Sequence, residues 1–143
     1  MNAQNMYALN LDQVANAILH TGDQRTTLVQ GHMGTGKSTL LKMLAEKLPT
    51  HVPCYFDCTT KDLGDIAIPN FKTLDDADFV RFVPNEELGI HHNKPVILMF
   101  DEFGKANPAV KQGVRRTMLE RMVGATKLPE GSIVFATTNL GAE

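Results

Sequence analysis

The sequence predicts a three-layer α/β sandwich built on a mainly parallel sheet, and three observations carry that prediction. Two apolar runs, Pro95-Val96-Ile97-Leu98-Met99-Phe100 and Ser132-Ile133-Val134-Phe135-Ala136-Thr137, have the length and composition of strands buried on both faces. Segments with apolar residues at helical spacing separate the strand candidates, so strands and helices alternate along the chain. The turn between the first strand and its helix carries Gly31, Gly34 and Gly36, as a tight strand-to-helix connection requires.

Taken in order, Asn10-Leu11-Asp12-Gln13 opens a helix. Asn10 is placed to cap it, Gln13 to reach back, and Leu11, Val14, Ala15, Ile18 and Leu19 form one apolar stripe that Gly22 ends. A polar turn leads to a strand over 26–30. The helix over 39–48 carries Leu40, Leu41, Leu44 and Leu48, and Pro49 stops it. A strand over 51–60 is built on Cys54, Tyr55, Phe56 and Cys58.

The segment 61–94 is the least regular, and irregular connections of that length are often functional. Within it, 65–69 reads as a short extended or turn piece, 79–83 alternates like a strand, and 84–88 starts a helical turn. Its acidic run, Asp75, Asp76 and Asp78, reads as a solvated face, with a cation or partner role as the alternative. Asn107-Pro108 begins a further helix as cap and first-turn proline. Val110, Val114, Met118, Leu119 and Met122 line one face of it, and Gly124 closes it. Lys111, Arg115, Arg116 and Arg121 fall mostly off that face, so a solvated surface, a subunit contact and a track for an anionic partner all stay open. Pro129-Glu130-Gly131 then turns the chain into the last strand.

A chain of 143 residues makes one domain, 1–143. Its 43% hydrophobic and 21% charged residues are those of a soluble globular domain, and the net charge of −2 gives no general attraction to nucleic acid or anionic lipid. The N-terminal stretch lacks the basic start and apolar run of a signal peptide, and no segment approaches membrane-spanning length, so a cytoplasmic location without membrane contact is expected. Cys54 and Cys58 fall on one strand face about 13 Å apart, too far to pair. With only His51 near them they read as buried or reduced thiols rather than zinc ligands, and His20, His91 and His92 read as solvated.

Two stretches carry chemistry. Gly31-His32-Met33-Gly34-Thr35-Gly36-Lys37-Ser38 fits G-x-x-x-x-G-K-[ST] at every fixed position, between a strand and a helix. The glycines let the backbone approach a polyphosphate, whose oxygens meet loop N–H groups and the helix N-terminus at Thr39. Lys37 reaches the β and γ phosphates, and Ser38 offers its hydroxyl to Mg²⁺. Asp101-Glu102 ends a fully apolar strand, where carboxylates are costly unless they meet a cation or water. Ligands of open α/β sheets bind at that end of the strands. Asp101 therefore suits the Mg²⁺ shell, directly or through water, and Glu102 an attacking water. Asn139, after the last strand, places an amide beside the γ phosphate. The plainer readings are a chance glycine turn and an acidic pair that only caps the next helix. A guanine reader is missing, since Asn93-Lys94-Pro95-Val96 lacks the aspartate of N-K-x-D.

Residues 31–38, the strand ending in Asp101-Glu102, the strand ending in Thr138-Asn139 and the helix between them resemble the AAA+ ATPases, with Walker A, Walker B and sensor 1 in family order over residues 24–140. The stretch 101–110, Leu119-Glu120-Arg121, Leu128-Pro129-Glu130-Gly131 and Asp62-Leu63-Gly64-Asp65-Ile66 are similar to the MoxR-type and dynein-related branch. The resemblance implies a P-loop NTPase with Mg²⁺ as cofactor and ATP as substrate. It implies catalytic roles for Lys37, Glu102 as water-activating base and Asn139 as sensor 1. Metal binding falls to Ser38 and Asp101, and nucleotide binding to Gly31, His32, Met33, Gly34, Thr35, Gly36, Lys37, Ser38 and Thr39.

The family pattern continues beyond Glu143 with an arginine finger, a fifth strand and a helical lid bearing sensor 2. The expectation is therefore a core lacking the final strand and lid, with the strand before Gly31 at an edge of the family order 5-1-4-3-2, and with slow hydrolysis unless Arg115, Arg116 or Arg121 acts across an interface. The implied function is ATP hydrolysis that remodels a protein partner, by a homo-oligomeric ring. Two alternatives stand: a nucleotide-responsive binding module with little hydrolysis, and an ATPase acting on nucleic acid such as a helicase loader. The net charge disfavours the latter and Arg115-Arg116 keeps it open.

Overall fold

The computed structural model describes residues 10–31, 36, 39–70 and 81–139. In chain order they form α1 (Leu11–Thr21), β1 (Thr27–Gly31), α2 (Thr39–Lys47), β2 (Val52–Asp57), β3 (Ala67–Asn70), β4 (Arg81–Pro84), β5 (Val96–Asp101), α3 (Pro108–Glu120), β6 (Met122–Val123), β7 (Thr126–Lys127) and β8 (Ile133–Asn139). Four strands make a parallel sheet in the order β1-β8-β5-β2, while β3–β4 and β6–β7 are separate antiparallel hairpins.

Strand alternation decides which helix covers which face. Ile97 and Met99 of β5 and Ile133 and Phe135 of β8 pack with Ala15 and Ile18 of α1 and Leu40 and Leu44 of α2. Their neighbours Leu98, Phe100, Val134 and Ala136 point the other way, into a cluster with Cys54, Phe56, Val110 and Val114. Helices thus sandwich the sheet, which is the three-layer α/β P-loop NTPase architecture expected. All of β8 is buried, and β1 lies at one edge of the sheet with Leu28 about half exposed at 49%.

Local signals explain the starts of the helices. Asn10 Oδ1 accepts the Gln13 N–H at 2.8 Å and Gln13 Oε1 accepts the Asn10 N–H at 3.0 Å, closing the capping box. Asn107 Oδ1 accepts the Val110 N–H at 2.9 Å, and Pro108 takes the first turn of α3.

The end of α3 corrects the sequence reading. The helix stops at Glu120 rather than Gly124, because Arg121 adopts φ 57° and turns its guanidinium onto the carbonyls of Gly22, at 3.2 Å, and Ser132. Arg121 is consequently half-buried and tied to the main chain, not solvated like its neighbours Arg115 and Arg116. Gly124 instead serves the β6–β7 turn with φ 59°, where a Cβ would sit 2.7 Å from the Phe82 carbonyl oxygen. Leu119, expected on the apolar face, is 82% exposed, since at about 100° per residue it points opposite to Val110. Thr117 takes its place, buried, its hydroxyl directed at the carbonyls of Gly113 and Met122.

The irregular segment forms single 3₁₀ turns at Leu63–Asp65, Glu86–Leu88 and Ile90–His92 around the β3–β4 hairpin. Asp75, Asp76, Asp78, Phe79 and Val80 lie outside the described residues. Cys54 and Cys58 are buried free thiols, His20, His91 and His92 are exposed, and no group of three metal-ligating side chains occurs among the described residues.

Candidate active site

Because the four sheet strands run parallel, their carboxyl ends meet along one rim. There Gly31 pairs with Asn139, Asp57 with Asp101, and Phe100 with Ala136, which sets Asp101 level with Thr137 on the next strand. Tyr55, Asp101 and Thr137 alternate in step with Met99 and Phe135, so all three side chains share the sheet face covered by α1 and α2.

Hydroxyls hold Asp101 from both sides. Tyr55 donates its phenol proton to Oδ2 at 2.5 Å, and Thr137 donates its hydroxyl proton to Oδ1. Thr137 Oγ1 in turn accepts the Glu102 N–H at 3.3 Å, which fixes the direction of its own proton. Asp57 is engaged in its own turn, accepting the N–H and hydroxyl of Thr59 at 3.0 and 2.7 Å.

Glu102 leaves the strand with φ 56° and ψ 45°, in the left-handed region, and makes no side-chain capping bond. Asn107 performs that task, so the acidic pair is not a helix cap. Glu102 Oε1 accepts a hydrogen bond from Asn139 Nδ2 at 2.8 Å. Its Oε2 is buried without a hydrogen-bond partner among the described residues, with Lys105 Nζ 3.9 Å away.

These carboxylates set a negative potential at the rim. Burial chiefly, then Asp57, Asp101 and Glu102, pushes the Cys58 thiol up to about 12. Burial and the bond to Asp101 likewise hold the Tyr55 phenol well above its ordinary range.

Of the glycine-rich loop, Gly31, Gly36 and Thr39 are described. Gly36 has φ 87°, and a Cβ there would meet Leu11 Cδ1 at 2.8 Å, so only glycine suits it. The Gly36 carbonyl accepts both the N–H and the hydroxyl of Thr39, at 2.9 and 2.6 Å, where α2 begins. His32, Met33, Gly34, Thr35, Lys37 and Ser38 lie outside the described residues. The fold therefore brings Gly31 at the start of the loop, Asp101, Glu102 and Asn139 to one rim. Sequence reasoning missed Tyr55 and Thr137, although alternation from Cys54 and Phe56 does put Tyr55 on the opposite face.

A family model for the ATPase family associated with various cellular activities (AAA) matches residues 27–142, spanning every strand of the central sheet. The chain belongs to the AAA family. Family membership makes this AAA chain a nucleotide-binding domain of ATPase type. No curated protein matches its sequence. In fold the AAA chain is similar to the crystal structure of a full-length MCM homolog from Methanopyrus kandleri, with a TM-score of 0.56 at 16% identity. That match covers 91% of this chain and 28% of the homolog, so the AAA chain spans little more than a quarter of that structure's length.

Proposed function

We propose that the chain binds ATP with Mg²⁺ at the rim where β1, β8 and β5 end, and hydrolyses it there. The observation that carries this reading is the carboxylate of Glu102, anchored through Oε1 to Asn139, while its buried Oε2 has no hydrogen-bond partner among the described residues and faces only the Lys105 ammonium at 3.9 Å. A charged oxygen in that state costs upwards of about 1–3 kcal/mol, and a water donating to it removes the cost. One oxygen anchored and the other turned to a water is the arrangement a general base needs.

The donor set fits a cation. Asp101 accepts one hydroxyl on each oxygen and keeps further lone pairs, and the surrounding carboxylates favour positive charge. Asp101 and Ser38 would hold Mg²⁺, which when bound neutralises charge on the β and γ phosphates. Lys37 and the backbone of residues 31–39 bind the polyphosphate, Glu102 takes the proton of the attacking water, and Asn139 orients Glu102.

At a finer level, the stretches 62–66, 101–110 and 128–131 favour the MoxR-type and dynein-related branch, and with it an oligomeric ring that remodels a protein partner. The net charge of −2 favours a protein over a nucleic acid in that role.

The test is a fluorescent ATP analogue together with phosphate release. Glu102→Gln keeps the analogue bound and lowers turnover about 100- to 10,000-fold, whereas Lys37→Ala loses most of the binding. Unchanged affinity in Lys37→Ala, or Glu102→Gln turnover within a few-fold of the parent, overturns the assignment.

A further inference from the structure

We infer that Tyr55 is a positioning residue for Asp101, setting the carboxylate's orientation toward the cation; this rests on the reading that Asp101 helps hold Mg²⁺. Tyr55 stands on β2, two residues before the register partner of Asp101, so its ring runs along the sheet surface toward the rim. Its hydroxyl meets Asp101 Oδ2 at 2.5 Å, in the short range of hydrogen bonds to ionised acceptors.

The second donor gives that contact its meaning. Terminal torsions of carboxylates are broad, and one hydrogen bond leaves the group free to rock. Thr137 takes Oδ1 from the strand on the opposite side, with its own proton direction fixed by the Glu102 N–H. Two donors from two flanking strands, one on each oxygen, leave the carboxylate plane a single setting. The remaining lone pairs are then presented in that one setting.

Tyr55 is 49% exposed and, among the described residues, belongs to neither core cluster, while its neighbours Cys54 and Phe56 point into the one on the opposite face. The phenol oxygen is its specific contribution. Removing hydrogen-bond partners of metal ligands typically weakens metal binding 10- to 100-fold. Water can reach this exposed site and partly replace the phenol, so the lower end of that range is expected.

The experiment measures affinity of the full chain for a fluorescent ATP analogue in Mg²⁺ and again in EDTA, for the parent, Tyr55→Phe and Asp101→Asn. The ratio of the two affinities reports the cation's contribution and is independent of turnover. Tyr55→Phe is expected to lower the ratio about 10-fold, with the EDTA affinity and melting temperature unchanged, and Asp101→Asn to lower it further. A merely structural tyrosine would move the melting temperature and leave the ratio alone, and that result overturns the inference. So does a ratio that rises, since the phenol would then be competing with the cation. An unchanged ratio in Asp101→Asn removes the reading beneath it, and the role of Tyr55 with it.

Discussion

Asn139 donates its side-chain amide to Glu102 at 2.8 Å, joining the end of β8 to the residue just past β5. Without that bond the carboxylate keeps its place in the chain but loses its aim. Asn139→Ala is expected to spare ATP binding and to lower phosphate release at saturating ATP about 10- to 100-fold, part of what a general base supplies. Asn139→Asp should do worse, because it sets a second negative charge against the first. Turnover within two-fold of the parent in both variants would remove Asn139 from the reaction.

Arg121 gives a prediction about stability alone. It links the end of α3 to the carbonyls of Gly22 after α1 and Ser132 before β8, and burial lowers its guanidinium pKa while Asp23 partly opposes the shift. Arg121→Ala strips donors from both carbonyls, and Ser132 is fully buried. A loss of about 2–3 kcal/mol is expected in urea unfolding. Arg116, paired to Glu120 on an exposed helix face at 2.9 Å, should cost no more than about 0.5 kcal/mol on the same change. Equal midpoints for the two variants would contradict the structural role of Arg121.

Cys58 predicts a pH dependence. Its folded thiol stays protonated up to about 12, against an ordinary value of 9.0, so above pH 9 the unfolded chain releases a proton that the folded chain keeps. Stability therefore declines between about pH 9 and 12, by at most about 1.4 kcal/mol per pH unit from this group. The phenol of Tyr55 acts in the same direction. At pH 8 a thiol reagent should label folded Cys58 at least about 100-fold more slowly than the unfolded chain. Labelling of the native protein at the rate of a free thiol would disprove the burial.

What could be read before the structure was whatever depends on neighbours in sequence. The apolar runs of β5 and β8 announce strands covered on both faces, and Asn10 with Gln13 announces a cap, because each signal acts within a few residues. What depends on register stayed hidden. Tyr55 and Thr137 reach Asp101 only because β2 and β8 lie on either side of β5, and no local pattern encodes that pairing. The end of α3 failed for a similar reason, since Arg121 finds its carbonyl partner on Gly22, 99 residues away. Leu119 is apolar yet lies at the wrong helical angle for the core, and Thr117 is polar yet packs there like an apolar group because carbonyls satisfy its hydroxyl.

The left-handed backbone of Glu102 bears on how such a chain drifts. Holding a long charged side chain there costs on the order of 1 kcal/mol or more, and glycine or asparagine would relieve it. Selection for a sturdier fold and selection for turnover therefore pull this position in opposite directions. In a lineage that kept the nucleotide only as a structural ligand, position 102 is where the carboxylate would be lost first, and the descendant would be more stable than its ancestor.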